Sequence, residues 1–477
     1  MRVPAVSWRL LAASALCLGV VSSTHLPAGA AAVPGPTPGT ACDKGSLPEK
    51  TQGRAPTSDV ASGRFAKGYT CNAVEISHLG ASGGYRVERY VDKAGHECAY
   101  WDSTLLFPTS IPDEKAEGPG VYVMDMSNPA KPVHTDTLVT PAMLSPHESL
   151  RLNQKRGLLV ADMATPATEP GFVDVYDVTA DCRHPVLQAS SPMGVLGHEG
   201  GFSPDGRTFY VASLYAHTLA AVDLTNPKVP TLVWLTYAYQ PHGVSLSEDG
   251  NTLYMAENPY SGGFSGLTVL DVSQVNKRVL NPQVPIISRL TWPNVSTPQN
   301  ATPFVSKGHH YLLETDEFGS DAAIGAGRII SIDNIKKPKV VSDLRLAVNQ
   351  PAIQPSIQGD PGNDQVFQGY QGHYCSLPSR IDPTTIACSF IMSGLRVFDI
   401  SDVMHPREIA YFNKPIVPGS VVNQPKRAGA FAMSAPAYDE KTNDIWYTDG
   451  NSGFYVVRLT GAAHRARFSA RTYLPGN

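Results

Sequence analysis

The 477-residue chain has no long hydrophobic segment, no excess of basic charge and no paired-thiol motif, and each absence narrows its class. Its one sustained apolar run, Leu10 to Val21, is 12 residues. A bilayer-spanning helix needs roughly 20, so no membrane anchor is expected. The formal charge is −4, and −6 once a leader carrying Arg2 and Arg9 is removed, which leaves no electrostatic footprint for nucleic acid. The cysteines never fall as C-x-x-C, so a zinc site built from thiolates has no support. A Gly-x-Ser-x-Gly elbow, a phosphate-cradling glycine loop and a dinucleotide fingerprint are missing too, which removes local support for those enzyme classes. No stretch sustains helical periodicity, and an all-β chain is expected.

Arg2 and Arg9 precede the apolar run, and Ala28-Gly29-Ala30 and Ala30-Ala31-Ala32 follow it. This is the layout of a cleavable export signal over residues 1–32, and it predicts a secreted, extracellular protein. Cys17 goes with the signal. Cys42, Cys71, Cys98, Cys182, Cys375 and Cys388 remain, an even set that in an exported chain implies disulfides. Cys375 and Cys388 flank the turn of one predicted hairpin and are the expected first pair. Residues 33–62, rich in Pro, Gly and Thr, are expected to form an extended leader, followed by a repeat domain over 63–477.

The repeat decides the fold. VYVMD ending at Asp125 recurs as VDVYD at Asp177, LAAVD at Asp223, LTVLD at Asp271, IISID at Asp333 and LRVFD at Asp399, with a degenerate FYVVR at Arg458. Successive ends lie 52, 46, 48, 62, 66 and 59 residues apart. A four-stranded propeller blade takes about 40 to 50, so the excess is loop. Before these phrases come Ser203-Pro-Asp-Gly206 with TFYVAS, Ser247-Glu-Asp-Gly250 with TLYMAE, and Asn153 to Gly157 with LLVAD, each a glycine turn between β-rich runs. A seven-bladed β-propeller of four-stranded antiparallel blades follows. The segment from Tyr85 to Val91 is expected to complete a blade with C-terminal strands, removing the open edge. The Asp residues closing the phrases read as turn acceptors.

These phrases resemble the LVIVD-repeat family and the YVTN-type bacterial propellers over roughly residues 95 to 460. A more distant similarity, in layout alone, is to the selenium-binding or methanethiol oxidase propellers, which implies copper.

Alignment of the blades by their turns places a histidine at the start of each innermost strand in five of seven: His96, His147, His198, His242 and His373. Asn300 stands there in the fifth blade and a residue near Ser434 in the seventh. Inner strands surround the axis, so these imidazoles are expected to meet at one channel mouth and to bind a transition metal: copper first, iron or zinc otherwise. Glu148 and Glu199 are the expected proton acceptors, with Glu97 a further candidate to orient imidazole. The competing reading is structural, because in WD-repeat propellers Gly-His in this connection ties loop to strand. Long connections, including 163–171, 257–266, 315–327 and 348–371, are expected to wall the same mouth. Tyr260, Tyr370 and Tyr374 are candidate pocket residues, whereas His309 and His310 fall at a second strand away from the axis. Asn294 and Asn300 match the glycosylation acceptor pattern but carry little weight in a chain of bacterial composition. The functional expectation is a metal-dependent oxidoreductase acting on a small substrate, the alternatives being a non-catalytic extracellular binding propeller and a metal-assisted lyase or hydrolase.

Overall fold

A computed structural model describes residues 33–103, 118–164, 169–258, 262–319, 323–363, 369–416 and 428–465. The expected export signal lies outside the described residues. Seven antiparallel sheets form the blades of a β-propeller. The first blade runs Val87–Val91, Glu97–Asp102, Val121–Asp125 and Val133–Leu138 from the axis outward, and the third runs Glu199–Phe202, Thr208–Ser213, Thr218–Asp223 and Thr231–Thr236.

Position in the blade explains the sequence pattern. Second strands such as Thr208–Ser213 are buried along their whole length, since neighbouring blades cover both faces, so they read as continuous apolar runs rather than alternations. Outer strands such as Thr231–Thr236 are half-exposed. Val160, Val175, Phe202, Phe209 and Val222 interdigitate between the second and third blades. At the seam of the seventh blade with the first, Trp101 stacks on Phe454 with ring centroids 5.7 Å apart and Trp446 packs edge-on. The turns behave as their chemistry demands. Gly206 and Gly250 sit at φ +68° and +71°, and the side chains of Asp205 and Asp249 accept the N–H two residues on. Asp125, Asp177, Asp223, Asp271 and Asp399 accept the N–H two residues later in the same way. In the fifth blade the third strand ends at Ser331, and Asp333 serves the backbone of His310 instead.

Closure differs from the expectation. Val87–Val91 is the first blade's own innermost strand, and the chain closes through Ala73–Leu79, which pairs with Gly453–Leu459 as the outer strand of the seventh blade. Tyr69–Cys71 adds a fifth strand to the sixth blade. Residues 33–62, which include the helical turn Ser58–Ala61, are pinned to the propeller. Glu49 forms an ion pair with Arg396 of the sixth blade at 2.6 Å, and Arg54 one with Asp360 at 2.7 Å. Three disulfides are formed. Cys375–Cys388 joins directly opposite residues of one hairpin as expected, Cys42–Cys71 fastens the leader, and Cys98–Cys182 links the first and second blades. They mark an oxidising compartment. No described helix is long and apolar enough to cross a membrane.

The inner strands carry polar side chains toward the axis. Burial pushes the Glu88 carboxyl up to about 8, against the pull of Arg86. A carboxyl whose folded pKa is raised contributes stability at low pH, and that contribution is lost as pH climbs from the unfolded value of about 4.5 to the folded one. Glu88→Gln is therefore expected to stabilise the protein near pH 8 by up to a few kcal/mol, at about 1.4 kcal/mol per pKa unit, and to change little at pH 4. Urea midpoints across that range measure it, and a variant whose pH slope matches the wild type rules it out.

Candidate functional site: an axial imidazole and carboxylate cluster

Four of the five expected histidines meet at one mouth of the channel. The ring centroids of His147 and His198 lie 4.4 Å apart, and those of His198 and His242 4.7 Å. His373 completes the group through shared carboxylates. Glu148 stands at its centre: one oxygen is 3.5 Å from both His198 Nε2 and His242 Nδ1, and the other is 3.3 Å from His373 Nε2. Glu317 bridges His242 at 2.9 Å and His373 at 3.2 Å. Tyr374 Oη and Gln299 Nε2 donate to Glu148 at 3.0 and 2.9 Å. His373 donates from Nδ1 to the carbonyl of Met433 at 2.6 Å, which fixes its ring. His147 holds φ +48° in the turn after Pro146, a backbone region few non-glycine residues occupy.

The cluster divides into two charge states. Burial works against protonation of His242 and His373, but Glu148 and Glu317 outweigh it and hold the two imidazoles charged, at about 10 and about 9. His198 falls to about 4 because burial dominates and Glu148 offsets only part of it. Burial and the neighbouring His198 hold His147 well below the usual imidazole value. Burial opposes the charge of Glu148, yet the charged His242 and His373 hold it ionised. Two neutral imidazoles with lone pairs thus stand beside the ionised Glu148, whose charge, with that of Glu317, is balanced by two imidazoliums. One donor atom from each of His147, Glu148 and His198 can be chosen so that all lie within 4.8 Å of one another, and the same holds for Glu148, His242 and Glu317. His147 Nδ1 is buried without a hydrogen-bond partner.

His96 does not join them. It lies in the turn between the first and second strands of its blade, at the other end of the channel, where Nδ1 meets Asp92 at 2.8 Å beside the Cys98–Cys182 bridge. The long connection from Ser103 to Gly120 restores the 29-residue spacing from His96 to Asp125 while the histidine is one strand out of phase. The first blade instead supplies Tyr85, whose ring is 4.2 Å from His147, and Arg86. Glu199 is held through one oxygen, which accepts from Arg86 at 2.8 Å, from Asn300 at 2.6 Å and from Arg151, while its other oxygen is buried without a hydrogen-bond partner, 3.7 Å from His242 Nδ1. Glu97 is paired with Arg89 and Lys441 away from the cluster. Asn300 reaches the cluster as aligned, and in the seventh blade Ser434 is held by Thr448. Tyr374 lines the site, Tyr370 bonds Asp360 and Ala55 elsewhere, and Tyr260 lies outside the described residues.

Glu317 was the residue the histidine spacing could not show. A signal for it exists: the second strands end on Asp102, Asp162, Glu257, Glu317 and Asp449, an acidic recurrence as regular as the histidines. In the fifth blade, with first and second strands of 10 and 9 residues, that acid meets His242 and His373.

Fold and site together define a seven-bladed propeller with a histidine and glutamate cluster on its axis. Among solved structures, the chain is similar to hydrazine synthase of Kuenenia stuttgartiensis, with a TM-score of 0.50, 13% identity, and 80% of this chain and 97% of that one covered. It is also similar to the periplasmic gluconolactonase of Pseudomonas aeruginosa, with a TM-score of 0.44 and 14% identity over 76% of this chain and 97% of that one. At these identities the likeness is one of fold alone. No protein-family model matches the sequence, and no curated protein matches it.

Proposed function

We propose that this is a secreted propeller of the LVIVD-repeat type that binds a transition ion at His147, His198 and Glu148 and acts as a metal-dependent oxidoreductase on a small molecule. The observation that carries the reading is the pair of neutral imidazoles next to an ionised carboxylate, one with a buried ring nitrogen that no protein group uses. Ligands must be deprotonated to bind a metal, and these three are. A two-imidazole, one-carboxylate set without thiolate suits copper, iron or zinc, and copper is the expected ion. Such an ion supplies Lewis acidity and, if redox-active, one-electron chemistry. The chain's own residues do the rest. His242 and His373, themselves paired with Glu317, orient Glu148, Arg86 and Arg151 hold Glu199, and the Tyr85 phenol, held protonated by burial and by Glu148, packs its ring against His147.

Protein purified without chelator is expected to carry about one equivalent of a transition ion per chain by elemental analysis. A metal-free protein that takes up none of copper, iron or zinc removes the proposal and leaves a binding propeller. Zinc alone, redox-inactive, shifts the reaction to the lyase or hydrolase class.

A further inference from the structure

The opposite mouth of the same channel holds a cavity of about 310 Å³ that the imidazole cluster does not touch. It opens where the inner strands end, at the turns after Arg151–Asn153, Pro241–Leu246 and Gly372–Ser376. Its walls include Pro204, Phe304, Val305, Ile332 and Ile381. Apolar walls with a few converging polar groups are the usual character of a small-molecule site, and this volume is at the small end of that range.

The converging polar group is Arg380. The turn that bears it is pinned to the fifth blade, because Val305 donates its N–H to the Arg380 carbonyl at 2.7 Å and Asp382 donates to the Val305 carbonyl at 2.8 Å. Arg380 Nη1 donates to the Leu246 carbonyl at 3.1 Å, whereas Nη2 is sequestered from solvent with no partner. Among the described residues no carboxylate forms an ion pair with it. Of the acids that line this mouth, Asp249 is occupied by the Ser247 hydroxyl and by Asn251, and Glu248 acts on Arg380 only at longer range. Arg380 is half-buried at this mouth, and burial lowers its guanidinium only to about 10, so it stays charged and open to an anion. Tyr254 and His310 stand on the same lining and add polar contacts.

We propose that this mouth is a binding site for a small organic acid with an apolar body, its carboxylate on the Arg380 guanidinium and its chain or ring against Phe304, Val305 and Ile332. This site is separate from the metal reading and stands without it.

The probe is decanoate, with decanol as its uncharged counterpart, both read by displacement of 8-anilinonaphthalene-1-sulfonate fluorescence from the full protein. Decanoate is expected to displace the dye at a concentration at least tenfold below that of decanol. Arg380→Met is expected to erase that difference, and Ile381→Glu, a change at a partly exposed rim position, to weaken decanoate more than tenfold while thermal stability holds. Prior treatment with a chelator is expected to change nothing. Equal displacement by acid and alcohol, or an Ile381→Glu protein that binds decanoate as the wild type does, overturns the proposal. Loss of displacement in His147→Ala overturns it too, since that would place the ligand at the other mouth.

Discussion

Replacing both His147 and His198 with alanine is expected to lower metal affinity by more than about a hundredfold while the metal-free protein keeps most of its stability. Loss of groups that merely orient ligands already costs 10- to 100-fold, and here two of three donors go. The metal-free fold is spared because the two rings are neutral, and His147 Nδ1 bonds nothing. His242→Ala is expected to behave in the opposite way. It removes the imidazolium that stands 2.9 Å from Glu317 and 3.5 Å from Glu148, leaving two buried carboxylates short of a countercharge. Breaking a buried pair on one side costs about 3–5 kcal/mol. Thermal unfolding with and without added ion separates the cases. At a free concentration one hundred times its Kd, the ion stabilises the wild type by about 2.7 kcal/mol, and the double variant should gain almost none. If both variants lose stability alike and neither loses metal, the cluster is a structural knot and the metal reading falls.

The contrast between His96 and His198 shows how far the sequence could be read. Both stand in Gly-His-Glu, both lie 25 to 29 residues before a capping aspartate, and only His198 reaches the axis. The blade count, the glycine turns and the capping aspartates were legible because each is a local pattern repeated, and repetition averages out error in any one copy. The phase of a single blade was not, since a long insertion between the second and third strands of the first blade compensates numerically for a displaced histidine. Charge state was equally hidden. Nothing in Pro146-His147-Glu148 or Pro241-His242-Gly243 says that one ring is neutral and the other charged; this follows from Glu317, which comes from a strand 75 residues away from His242. The same limit applies to Glu199. Its sequence neighbour His198 says nothing of the two arginines that hold one of its oxygens, which come from the first and second blades, 113 and 48 residues distant.

Glu199→Ala is expected to be among the most damaging single changes in the protein, with a loss of about 3–5 kcal/mol in urea unfolding. The side chain is fully buried, and one of its oxygens gathers donors from Arg86, Arg151 and Asn300. Truncation leaves both guanidinium groups without their hydrogen-bonded carboxylate, Arg151 on the carbonyl of Gly200 and Arg86 on the carbonyl of Glu148 and the face of Tyr374. Glu199→Gln keeps the shape and one acceptor but drops the charge, so it should fall between wild type and alanine. A second consequence follows from the backbone. Glu148 and Glu199 pair directly as a parallel bridge between the second and third blades, so loss of the anchor loosens the main chain that carries His147 and His198. Metal affinity should therefore drop along with stability in Glu199→Ala, although Glu199 is not a ligand. Adding Arg151→Met to Glu199→Ala removes one stranded charge and should recover part of the stability. A double-mutant cycle that shows no coupling would mean that the arginines are satisfied by the carbonyls alone, and that the carboxylate at the heart of the channel contributes only its volume.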